Sequence, residues 1–100
     1  MSSFNSNLQN EEMDFLIKAI LSLKNEEECY RFFEDICTIN EIKAIEQRLQ
    51  VAKMLKEGKT YIEVAKATGA STATISRVNK CIHYGSNGYN IVLERLKVKE

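Results

Sequence analysis

The chain has 100 residues, 44% of them apolar, and 14 basic against 14 acidic side chains give a formal net charge of zero. That length supports one domain that buries about 60–70% of its unfolded surface, and leaves no room for a second. No apolar run approaches the roughly 18 residues of a membrane span, and Met1-Ser-Ser-Phe lacks the basic and apolar regions of a secretion signal, so no membrane partner and a cytoplasmic location are expected.

There is no proline, and four glycines at 58, 69, 85 and 88 separate long runs of helix-forming residues, which predicts an all-α fold. Residues 1–7 are polar and expected to fray. From Asn10, or as early as Leu8, to Leu23, the apolar residues Met13, Leu16, Ile17, Ile20, Leu21 and Leu23 cover more than half of a helix circumference. So wide a stripe exceeds what one neighbour covers and predicts a helix shared with a second subunit, the alternative being a central core helix of a monomer. Asn25 caps a second helix whose first turn, Glu26-Glu27-Glu28, sets negative charge at the positive end of the helix dipole. Cys29, Phe32, Phe33 and Ile36 are its expected buried face. Thr38 and Glu41 have the spacing of a capping box and open a long helix from about Ile39 to Glu57, with Ile42, Ile45, Leu49, Ala52 and Leu55 as its inner stripe and Gly58 as its C-cap.

The stretch Thr60–Lys80 reads as two short helices across a glycine turn. Thr60 with Glu63 is a second capping box, Ser71 caps a helix running to about His83, and Gly69 supplies the positive φ of the sharp break. Ala65 is small enough for a steep crossing, and Val64, Ile75 and Val78 are spaced to fill the wedge, which is the helix-turn-helix pattern. Tyr84-Gly-Ser-Asn-Gly88 is a loop, and Tyr89 to about Val98 forms a last helix. The expected organisation is a single domain of about six helices: core and dimerisation helices over 8–58, the helix-turn-helix over 60–83 and a C-terminal helix over 89–98.

The zero net charge conceals an asymmetry. Residues 1–42 hold three Lys/Arg against nine Asp/Glu, a net of −6, and residues 43–100 hold eleven against five, a net of +6. A basic half carrying a helix-turn-helix points to double-stranded DNA. With Ile75, Val78 and Ile82 inward, the outer face of the second helix carries Thr72, Ala73, Ser76, Asn79 and Lys80, with Ser71 and Arg77 at its edges. Ser71, Thr72, Ala73 and Ser76 are candidates for base edges, because small side chains and hydroxyls allow close approach in a major groove. Lys59, Lys66, Arg77 and Lys80 are candidates for phosphates, followed by Lys53 and Lys56. The alternative is a protein-interaction module that uses the same scaffold without DNA.

Cys29, Cys37 and Cys81 have no C-x-x-C spacing and read as small core residues; with His83 the lone histidine, no metal site and no cofactor is expected. No nucleophile is paired with a base and no glycine loop suits a phosphate, which argues against an enzyme.

From Thr38-Ile-Asn-Glu-Ile through Arg48, Leu55 and Gly58 to Ala73-Thr-Ile-Ser-Arg77, the chain resembles the Trp repressor superfamily, in its YerC/YecD-type branch. The resemblance implies an intertwined homodimer of all-helical subunits whose paired helix-turn-helix units bind operator DNA. It also implies a corepressor pocket, in which the family holds tryptophan with two arginines, a threonine and a serine, beside a glycine that leaves space under the indole. Arg48, Arg77 and Thr38 fall on matching positions. Val78 stands where the glycine would be and Cys81 where the serine would be. A valine there projects into the indole volume, an overpacking of about 1–3 kcal/mol, and a thiol is a weaker hydrogen-bond partner than a hydroxyl. The pocket is therefore expected to be vestigial and plugged by Val78, with tryptophan not the effector and Arg48 and Arg77 free for phosphates or an acidic neighbour.

Overall fold

Short polar side chains set where the helices begin. In the computed structural model, which describes residues 4–97, Asn10 is extended and its side-chain oxygen accepts from the Met13 N–H at 2.7 Å, opening α1 (Glu11–Leu21). Asn25 accepts from the Glu28 N–H at 2.9 Å in the same way and opens α2 (Glu26–Ile36). The remaining elements are α3 (Ile39–Lys56), α4 (Tyr61–Thr68), α5 (Thr72–Tyr84) and α6 (Gly88–Arg95), with no strand among the described residues. The fold is all-α with six helices, as expected. Boundaries differ at the ends: α1 runs from Glu11 to Leu21 rather than from Leu8 or Asn10 to Leu23, and α6 begins at Gly88 and ends at Arg95. Val98, its expected last residue, lies outside the described residues, as do residues 1–3.

The chain divides into two compact units, Met1–Thr38 and Ile39–Glu100, a boundary that falls inside the 8–58 segment. In the first unit, neither α1 nor α2 has a buried residue. Phe15 and Leu21 are 76% and 78% exposed. Phe32 and Phe33 meet edge to face, 5.6 Å between centroids, and with Cys29 are half-buried. Ile36 departs from the expected buried face, because it is the last helical residue and the chain leaves it extended at Cys37, so its side chain is exposed.

The core lies in the second unit. Val51 and Ala52 of α3, Val64 of α4, Ala70 of the turn, Ile75 and Val78 of α5 and Leu93 of α6 are its buried residues. α3 packs against α4, α5 and α6, and α5 packs against α4 and α6. Neighbouring residues on a helix point about 100° apart, so the complete burial of both Val51 and Ala52 means that α3 is covered on two sides. The expected single stripe therefore needs correcting: Ala52 is buried and Ile42 and Leu55 are half-buried, but Ile45 and Leu49 are exposed, and Val51 is a core residue that the stripe omitted. Gly58, at φ +86°, ends α3. Its N–H donates to Leu55 O and the Lys59 N–H to Met54 O, both at 3.1 Å, a Schellman closure of the last turn.

Ile75→Ala is expected to lower the unfolding free energy by about 2–5 kcal/mol, through lost transfer energy and a residual cavity. Ile62→Ala, at a side chain that stands in solvent, is expected to stay within about 0.5 kcal/mol of the parent. Urea titration of the two variants checks both.

Candidate nucleic-acid interface

The helix-turn-helix is built from local hydrogen bonds closed over an apolar wedge. At the start of α4, Thr60 Oγ1 accepts from the Glu63 N–H at 3.2 Å and the Glu63 carboxylate accepts from the Thr60 N–H at 2.9 Å, a complete capping box. The backbone hydrogen bond from Thr60, then the one from its side chain, hold the Glu63 carboxyl below the usual glutamate range, and the nearby charge of Lys59 acts in the same direction. At the other end, Gly69 is left-handed at φ 72°, a conformation costly for other residues, and its N–H donates to Ala65 O at 2.9 Å. Thr68 fastens the turn by donating its hydroxyl to Val64 O at 2.7 Å while accepting from the Ala70 N–H at 3.1 Å. Ser71 then accepts from the Thr74 N–H at 3.1 Å and starts α5.

With Ile75 and Val78 each 1% exposed, the opposite face of α5 is fixed. Thr72, Ala73, Ser76, Arg77 and Lys80 are exposed and Asn79 is half-buried. Thr72, Ser76 and Lys80 succeed one another at intervals of four residues and so share one stripe, beside Ala73. Lys59 and Lys66 are exposed at the two ends of α4, and Lys53 is exposed on α3. None of Lys59, Lys66, Arg77 and Lys80 forms an ion pair among the described residues. Ser71 differs from its neighbours, since its hydroxyl also donates to Thr74 Oγ1 at 3.1 Å, leaving one acceptor site uncommitted.

Of the residues matched to a corepressor pocket, two share one cavity of the second unit. Arg48 and Cys81 both line an open cavity of about 580 Å³, with Ile45 and Leu49 of α3 and Tyr89 and Val92 of α6 among its other walls. Val78 is not one of those walls and packs in the core, Arg77 is exposed outside the cavity, and Thr38 is exposed at the end of the first unit. The expectation of small buried cysteines also needs correcting: Cys29 and Cys37 are half-buried and Cys81 is exposed, because its side chain faces the open cavity instead of the packed side of α5.

Two residues that the sequence did not single out reach the helix-turn-helix from other helices. Gln47 of α3 donates to Thr68 O at 3.1 Å, and Asn90 of α6 donates to Ile82 O at 2.9 Å. A polar residue on a helix surface carries no local sign of such a bond.

The Trp repressor protein family matches residues 11–97. The chain belongs to the Trp repressor family. It is 57% identical over 93 residues to the uncharacterized protein YerC of Bacillus subtilis (strain 168), covering 93% of this chain and 89% of that one. A crystal structure of a TrpR-like protein from Eubacterium eligens ATCC 27750 is similar at a TM-score of 0.89 and 55% identity, over 96% of this chain and 99% of that one. A Staphylococcus aureus protein assigned provisionally to the Trp repressors is similar at 0.87 and 50% identity, over 92% of each chain. The Trp repressor family is a family of regulatory DNA-binding folds and not an enzyme family. Among the described residues, no helix is long and apolar enough to cross a membrane.

Because Glu63 is depressed in the folded state, the capping box contributes stability above the ordinary glutamate pKa and loses it as pH falls through the lowered value. Thr60→Val removes the side-chain bond and is expected to move the Glu63 midpoint upward in an NMR carboxyl titration. An unmoved midpoint would assign the depression to the backbone bond and Lys59 alone.

Proposed function

We propose that this chain is a sequence-specific DNA-binding transcriptional regulator of the repressor kind, acting as an intertwined homodimer in the cytoplasm. The observation that carries the reading is the outer face of α5: its first two turns present Thr72, Ala73 and Ser76, uncharged and exposed, with cations at the margins that form no ion pair among the described residues. Methyls and hydroxyls admit close contact with base edges, and the threonine and alanine methyls pack on thymine methyls. Ser71 keeps one acceptor site for a base donor. Lys59, Lys66, Arg77 and Lys80 contact phosphates, and N–H groups at the start of α5 add to them.

Homodimerisation follows from the first unit, whose helices expose Phe15, Ile17 and Leu21 and bury no residue. A second copy would cover those side chains and hold two recognition helices about 34 Å apart, one turn of duplex, which favours a palindromic site. The core, dimerisation and C-terminal segments then act as one scaffold for the reading helices. Tryptophan is not the effector, since Val78 is a buried core side chain where the family carries a glycine. Thr38, Arg48, Arg77, Val78 and Cys81 are the remnant of a corepressor pocket.

Fluorescence anisotropy on duplexes selected from random DNA is expected to show affinity falling with salt at a log-log slope of about −0.9 per phosphate contact. Arg77→Ala and Lys80→Ala should each flatten that slope by about one contact, across all sequences. Ser76→Ala should instead alter preference at one base pair by about 1–3 kcal/mol. A flat salt response, or no binding at low salt, would leave the protein-interaction alternative. Light scattering should report a dimer, and calorimetric titration with tryptophan should give no binding at micromolar concentrations.

A further inference from the structure

Each helix of the helix-turn-helix ends in carbonyls that its own turns leave without partners. In this chain one such carbonyl on each helix is taken by a side-chain amide from a different scaffold helix. Gln47 Nε2 of α3 donates to Thr68 O, the last residue of α4, at 3.1 Å, across 21 positions of sequence. Asn90 Nδ2 of α6 donates to Ile82 O in the last turn of α5 at 2.9 Å, and also to Asn87 Oδ1 at 3.0 Å. Both bonds are part-buried. Carbonyl and carboxamide oxygens fix the orientation of the Asn90 amide, because the reversed amide would set oxygen against oxygen. Asn90 Oδ1 is buried with no hydrogen-bond partner, so the side chain is held where it is by what its nitrogen does.

The geometry points to Gln47 and Asn90 as positioning residues for DNA reading, one strut for each helix of the helix-turn-helix. This rests on the DNA-binding reading above. The apolar wedge fixes α4 against α5 but, being non-directional, tolerates small rotations of the pair over α3. Two directional bonds at the two C-terminal ends remove that freedom. Binding constellations need geometry within about 0.5 Å and 10–20°, and contacts to base edges suffer from a tilt far more than contacts to phosphates, which tolerate changes of angle. Loss of a strut therefore lowers discrimination before it lowers general affinity for DNA.

The test uses the full chain, a duplex selected by the wild type from random DNA, and a scrambled duplex, all well below the unfolding midpoint. Gln47→Met and Asn90→Leu keep side-chain bulk and remove the donor. Gln50→Met is the control, since Gln50 lines the same cleft as Gln47 but its side chain makes no hydrogen bond among the described residues. Expected for each strut variant is a loss of tenfold or more on the selected duplex, less than twofold on the scrambled one, and an unchanged salt slope. Faster amide exchange at Gly69 in Gln47→Met, with wild-type exchange in Gln50→Met, would accompany it. Equal losses on both duplexes, or none on either, with the wild type still discriminating between them, would assign the amides to stability alone and overturn the inference. Failure of the wild type itself to bind either duplex would instead remove the DNA reading, and the positioning role with it.

Discussion

Val64, Ile75 and Val78, closed over Val51 and Ala52, form the contact on which the rest of the molecule depends. α4 runs only from Tyr61 to Thr68, and helices shorter than about 12–15 residues are marginal alone in water. Its stability comes from what it packs against. Burying a valine or isoleucine contributes about 1.5–3 kcal/mol each, whereas the Thr60 cap contributes about 1 kcal/mol and an exposed pair such as Arg31–Glu27 at 2.9 Å contributes about 0–1 kcal/mol. The wedge therefore stabilises the helix pair more than its caps do, and the caps decide where the helices it holds begin and end.

The wedge also decides what α5 has left to offer. Ile75 and Val78 are consumed inward, Ile82 is half-buried, and the remaining circumference is the outward stripe of Thr72, Ser76 and Lys80 with Ala73 beside it. Val78 is the residue at which the core and the family comparison meet. A glycine at that position would leave space beside α5 that a ligand could fill, whereas the valine fills its own space with an isopropyl group at 1% exposure. On the function proposed above, the reading helix would then be held by packing that is always present and would need no bound molecule to complete it.

The parts legible in the sequence are those whose cause lies within about four residues. Asn25, Thr60–Glu63, Gly69 and Ser71 each satisfy, or break, a hydrogen-bond ladder a turn away, so their roles could be read directly and the structure shows them. The face of α5 was legible for a related reason: Ile75 and Val78 leave few ways to orient a helix that must close on α4. Burial along α3 was not. Ile45 and Leu49 fit a helical stripe as well as Ala52 does, and only the placement of α4, α5 and α6 makes Val51 buried and leaves those two exposed. Ile36 and Cys81 failed in the same way, since an apolar residue type reports a preference for burial and says nothing of whether a neighbour supplies it. For Gln47 and Asn90 there was no signal at all, because their partners are carbonyls that every residue carries.

The first unit sharpens the case for a second copy in energetic terms. α1 and α2 are short, their caps are intact, and neither buries a residue. Capping adds about 0.5–2 kcal/mol per helix, which does not balance backbone ordering at roughly 1–2 kcal/mol per residue. Apolar burial has to supply the difference, and exposed Phe15, Ile17 and Leu21 are where it is missing. Ile17 and Leu21, four residues apart, share one face of α1, while Phe15 stands about 200° round from Ile17, so apolar side chains are exposed on more than one side of the helix. A partner copy that covers them supplies that burial, and the folding of the first unit then becomes inseparable from assembly, so that stability rises with protein concentration. On the DNA-binding reading, the acidic character of residues 1–42, at −6, disfavours phosphate contacts there, which would leave DNA to the basic remainder of the chain.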